Sequence, residues 1–216
     1  MFNFNYISKN IARKIACENS SIDKDKEEVI AYGIYGILQI GASILLVILF
    51  GIIFNVFIEA LIMSFGISIL RKYSGGVHSN SSSGCLIIGT LICVLIPLLI
   101  NKIHININST IAISFIIFIF SYIIIYRLSP VDSPNKPIRK IERRKKLKKR
   151  SMQVLTIYLL ILIAFIIFYY LEDNYNLLLY ANVLGCATLW QVFSLTKLGH
   201  KLLGALDTFF IKQFHL

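Results

Sequence analysis

The chain has 216 residues, 56% of them hydrophobic and only 15% charged, with a mean hydropathy of +0.73. Soluble domains average roughly 45–50% apolar and ~25% charged residues, so a soluble domain and a disordered chain are both excluded. The apolar residues stand in long blocks, and the formal charge of +11 therefore reads as the flanks of membrane spans, not as a nucleic-acid footprint.

Residues 2–16 set Phe4, Ile7, Ile11 and Ile15 at helical spacing, with Lys9, Arg13 and Lys14 nearby. That is the pattern of a basic amphipathic helix lying in the membrane interface. No cleavable signal peptide is expected, because the first long apolar block starts near Val29, after a charged lead-in. About 20 apolar residues cross a hydrocarbon core, so residues 29–54, 56–70, 85–100, 110–128, 152–171 and 177–195 read as spans. The second is short and carries Glu59, an ionisable residue within a span and so a functional candidate, although near the expected outer end it would simply reach water. Between the spans lie a loop at 71–84, a strongly basic loop at 129–151 and, after the last, a mildly amphipathic tail.

The fold class is therefore an all-α integral membrane protein of about six transmembrane helices plus the N-terminal interfacial helix. It is expected to form a single membrane-embedded domain. With both termini cytoplasmic, 21 of the 22 Lys and Arg residues lie inside and only Lys102 outside. The opposite orientation would put the run 139–150 on the outer face, against the positive-inside rule. The 71–84 loop then faces the cytoplasm, and the plasma membrane is the expected location.

That loop reads Arg71-Lys72-Tyr73-Ser74-Gly75-Gly76-Val77-His78, then Ser79-Asn80-Ser81-Ser82-Ser83-Gly84-Cys85. The paired glycines permit positive φ and close backbone approach, and the serines can cap the helix that follows. Cys85 then falls in its first turn, where free N–H groups and the helix dipole favour a thiolate. A Cys with a His is a nucleophile–base arrangement, although an inert Cys and a loop His would look the same. On one continuous helix seven residues span roughly 10 Å, too far for a hydrogen bond. A working pair needs a non-helical return over residues 75–83.

The other candidates are weaker. Cys17, Cys93 and Cys186 read as small hydrophobes, and the four cysteines have no disulfide-like spacing. His104, His200 and His215 are scattered, so no metal site and no cofactor is expected. The basic run has two readings, anchoring to anionic lipid or docking of an acidic peptide segment. Gln39, Asn182 and Gln191 read as polar ties between helices.

The motif from Arg71 to His78, with Cys85 seven residues on, resembles the signature of the AgrB family, accessory gene regulator B. A second stretch, Ser129-Pro130-Val131-Asp132-Ser133-Pro134-Asn135-Lys136-Pro137-Ile138, is similar to that family's Lys-Pro-Ile segment before a basic run. The resemblance implies a membrane cysteine endopeptidase that processes an AgrD-like quorum-sensing propeptide, with Cys85 as nucleophile and His78 as general base. It implies supporting roles for Arg71, Gly75 and Gly76, and substrate contacts for Lys136. Arg139, Lys140, Arg143 and Arg144 of the same run are the further candidates for binding the acidic tail. A homodimer without cofactor, metal or nucleic acid is also implied. A peptide exporter without covalent chemistry and a scaffold for an acidic partner remain the alternatives.

Overall fold

The computed structural model describes residues 4–18, 22–76, 82–132, 138 and 140–214. They form helices α1 (Phe4–Glu18), α2 (Lys24–Ile53), α3 (Phe57–Ser74), α4 (Ser82–Lys102), α5 (Ile107–Leu128), α6 (Ile141–Glu172), α7 (Tyr175–Phe193) and α8 (Lys197–Phe214). Two compact units result, Met1–Leu46 and Val47–Leu216.

In the first unit α1 forms over the expected residues, and Ile7, Ile11 and Ile15 are exposed along it. An exposed apolar stripe on a basic helix suits a bilayer surface. Asp23 starts α2 by accepting the Lys26 backbone N–H on Oδ1 at 2.9 Å. Asp25 and Glu27 follow in the first turn, where the helix dipole favours carboxylates.

The second unit is organised around α7, which packs against α3, α4, α5 and α6. Small residues allow this closeness: a Cβ placed on Gly66 of α3 would come within 2.9 Å of the Ala187 Cβ. Between apolar helices in lipid, such backbone approach and buried polar ties supply the association that hydrophobicity alone cannot. Tyr158 Oη donates to the Gly66 carbonyl at 2.8 Å. Asn182 Nδ2 donates to Thr110 Oγ1 at 2.9 Å and to the Leu178 carbonyl at 2.8 Å, so the expected helix tie is formed.

Five helices, α2, α4, α5, α6 and α7, are long and apolar enough to cross a membrane. The second expected span, α3, differs from them because Glu59, Arg71 and Lys72 all lie within it. It buries Ala60, Met63, Gly66, Leu70 and Ser74 along one face. Glu59 does not reach water as expected: it is only 9% exposed, in the first turn of α3.

The basic loop also proves shorter than the sequence suggests, since Ile141–Glu172 is one helix of 32 residues. Arg, Lys, Leu and Glu are strong helix formers, and an adjoining span supplies the nucleus that a short isolated helix lacks. At 1.5 Å per residue α6 is about 48 Å long against a hydrocarbon core of about 30 Å. The cationic turns are thus a stiff extension of a span. The tail is likewise helical as α8, which packs against α4 and is capped by Thr196 Oγ1 accepting the Gly199 N–H at 3.1 Å.

Orientation is open to direct test. A reporter fused after Arg150 should remain cytoplasmic and one after Asp173, at the left-handed C-cap of α6, should be outside. Labelling of residues 71–84 from the outer face only would overturn that orientation.

Candidate active site where the two motifs meet

The last turn of α3 is closed by Gly75 N–H donating to the Arg71 carbonyl at 2.9 Å and Ser74 Oγ donating to Leu70 at 2.9 Å. Gly75 and Gly76 then take φ values of +73° and +129°, a region that L side chains rarely enter. Gly75 forms an isolated parallel bridge with Val131, whose N–H donates to the Ser74 carbonyl at 2.9 Å. A Cβ on Gly75 would run into the Val131 carbonyl oxygen. Glycine is needed there for both space and conformation.

Val131 is itself held firmly. The Ser129–Pro130 peptide bond is cis, the Ser129 N–H donates to the Ile125 carbonyl at 3.0 Å, and Ser129 Oγ donates to Ser151 Oγ at 3.1 Å. From the opposite side Gln191, near the end of α7, donates from Nε2 to the Gly75 carbonyl at 2.8 Å and to Ser74 Oγ at 3.0 Å. The ends of α3, α5 and α7 are thereby locked together.

Arg71 in the last turn of α3 lies close enough to Cys85 at the start of α4 to interact with it electrostatically. Burial pushes the guanidinium down from its ordinary range, and Cys85 opposes that shift. An arginine remains charged regardless. Its Nε has no hydrogen-bond partner among the described residues. Cys85 is half-buried, in the first turn of α4.

The two segments that meet here both fall within the match to the family model AgrB, accessory gene regulator B, which covers residues 8–195. The chain belongs to the AgrB family. It is similar to the AgrB-like protein 2 of Clostridium perfringens (strain 13 / Type A), 40% identical over 94% of this chain and 96% of that protein. The AgrB-like protein of Clostridium perfringens (strain SM101 / Type A) gives the same identity and coverage. Similarity to the accessory gene regulator protein B of Staphylococcus aureus (strain Newman) is 32% over 95 residues, 43% of this chain and 48% of that protein. No solved structure matches.

In this AgrB-family chain the bridge unites the two motifs that carried the resemblance. Of the residues singled out from sequence, Arg71, Gly75, Gly76 and Cys85 gather at one end of the helices; His78, Lys136 and Arg139 lie outside the described residues. Ser82 and Ser83, expected in the non-helical stretch 75–83, already belong to α4. Lys140 and Arg143 are exposed. Arg144 is engaged, its Nη2 lying 3.2 Å from Asp132 Oδ1. Lys148 stands over the Tyr126 ring at 4.3 Å and Arg150 over the Tyr73 ring at 5.8 Å, which sets the cationic turns at the same end as Arg71.

Cys17 is exposed, Cys93 is buried in the core and Cys186 is half-buried against it. Among the described residues no group of His, Cys, Asp or Glu could hold a metal ion. Sequence reasoning missed Val131, Ser151 and the target of Gln191. The only signal was a lone carboxamide in an apolar span, which reads as a tie but does not name its partner.

Proposed function

We propose that this AgrB-family chain is a quorum-sensing cysteine endopeptidase of the cell membrane that removes the acidic C-terminal tail of an AgrD-like propeptide. The observation that carries the reading is the Gly75–Val131 bridge, which joins the two motifs of the family signature, with Cys85 within electrostatic reach of Arg71. A thiol there gains the electrostatic support that a nucleophile requires. Cys85 Sγ, giving its proton to His78, attacks the carbonyl carbon before the tail. The C–N bond breaks, the tail amine takes the proton from the imidazolium, and the acyl group stays on Cys85 as a thioester. A thiol within the substrate then attacks the same carbonyl, closing a thiolactone and returning the thiol to Cys85; a hydroxyl would give a lactone. No Walker A motif occurs in the sequence, so removal of the products must draw the reaction forward.

Substrate capture is assigned to the first turns of α6, with Lys136 and Arg139 before them, acting together with the membrane that concentrates an amphipathic propeptide. Neutralising Lys140, Arg143, Lys145 and Lys146 together is expected to raise KM about tenfold while kcat stays within about twofold. Raised salt should reproduce the effect only in part. Unchanged KM would return these charges to a purely topological role.

The reading is tested by incubating purified protein in vesicles with a short acidic-tailed propeptide and weighing the products by mass spectrometry. Release of the free tail together with a cyclic fragment is expected. An exporter or scaffold would leave the propeptide intact. Chemical cross-linking in the same vesicles should trap the homodimer that the reading includes.

A further inference from the structure

We propose that Gln191 is a positioning residue for the Cys85 chemistry, its buried carboxamide fixing the Gly75–Gly76 backbone at the end of α3, whose last turn carries Arg71. The inference rests on the peptidase reading and deepens it. Gln191 is only 1% exposed. Its Nε2 makes both bonds to the α3 terminus, at 2.8 Å to the Gly75 carbonyl and 3.0 Å to Ser74 Oγ. Its Oε1, also buried, has no hydrogen-bond partner among the described residues.

A bare tie between α3 and α7 needs no such placement, since Gly66 and Ala187 already bring these helices together mid-length. Gln191 instead holds a carbonyl beyond the helix end. A Cβ on Gly76 would lie 3.4 Å from Gln191 Nε2 and 2.9 Å from Ser194 Oγ. Ser194 Oγ is in turn fixed by donating to the Gln191 carbonyl at 2.7 Å.

The physical need is plain. Two successive glycines with positive φ have the greatest backbone freedom of any pair, so their course must be imposed from outside. The Val131 bridge fixes one side and the carboxamide the other. That double anchorage fixes the end of α3 that carries Arg71, and positioning of this kind acts on the rate of chemistry more than on substrate capture.

The test uses the full chain in vesicles with Cys17, Cys93 and Cys186 replaced by Ala, so that Cys85 is the only thiol. Gln191→Met keeps the volume and removes both polar ends, whereas Gln191→Glu keeps the acceptor and removes the donor. Cleavage of the acidic-tailed propeptide is followed alongside the pH dependence of Cys85 alkylation by iodoacetamide. The expected result for both variants is a kcat at least about tenfold lower with KM within about threefold, and for Gln191→Met a melting point lowered only by the loss of two hydrogen bonds. The alkylation curve should move along the pH axis. Parental kcat and an unmoved curve overturn the proposal, as does a variant that melts early and loses capture in proportion to rate, which marks a structural tie only. If the parent leaves the propeptide intact, the peptidase reading fails by itself. The alkylation curve then still decides whether Gln191 orders the surroundings of Cys85.

Discussion

Cys85→Ala should abolish release of the acidic tail while the protein still inserts in the membrane and still captures propeptide. Removing the nucleophile leaves no group to carry the acyl chain, so the expected loss is at least ~10⁴-fold in kcat, on the scale of other nucleophile deletions. His78→Ala should come close to the same loss, and the double variant should be little worse than either, because residues acting as one unit are not additive. Arg71→Ala should be milder, since the α4 N-terminus still favours the thiolate. Cys93→Ala, by contrast, removes a side chain buried at 6% exposure in the core and should alter packing alone. Mass spectrometry of the released tail checks all five variants. Tail release by Cys85→Ala would assign the chemistry to another nucleophile.

Gly75→Ala should both destabilise the protein and silence it. The φ of +73° alone costs an L residue about 1–2 kcal/mol. The added methyl also runs into the Val131 carbonyl oxygen, so the bridge has to open. Opening it removes the Val131 N–H bond to Ser74 and the Gln191 bond to Gly75, each worth about 1 kcal/mol net. The sum is about 3 kcal/mol or more, and the end of α3 that carries Arg71 loses its anchorage as well. Gly89→Ala is the control, because nothing lies within 4 Å of a Cβ placed there in α4. An alanine within a helix is favoured over glycine by about 0.5–1 kcal/mol. Thermal melting in one detergent should therefore move down for Gly75→Ala and slightly up for Gly89→Ala. Equal melting of the Gly75 variant and the parent would show that the bridge contributes nothing.

The sequence by itself determined what depends on neighbouring residues. Apolar blocks separated by polar breaks give the long helices, the spacing of Ile7, Ile11 and Ile15 gives α1, and Gly75-Gly76 announces a backbone that only glycine accepts. A serine-rich lead into Cys85 announces the start of a helix, which begins at Ser82. These are local properties of backbone sterics, periodicity and solvation, and each can be read within a few residues.

Only the tertiary structure decided which of these pieces meet. Gly75 bridges Val131, Gln191 reaches back to Ser74 and Gly75, and Cys85 lies within electrostatic reach of Arg71. It also buried Glu59, where the sequence expected water, and it carried α6 through residues that had read as a loop. The reason is physical. In a membrane the lipid and the protein core are equally apolar, so hydropathy does not tell which face of a span is turned inward. That choice rests on small residues such as Gly66 and Ala187 and on single polar bonds, whose partners lie far away in the chain.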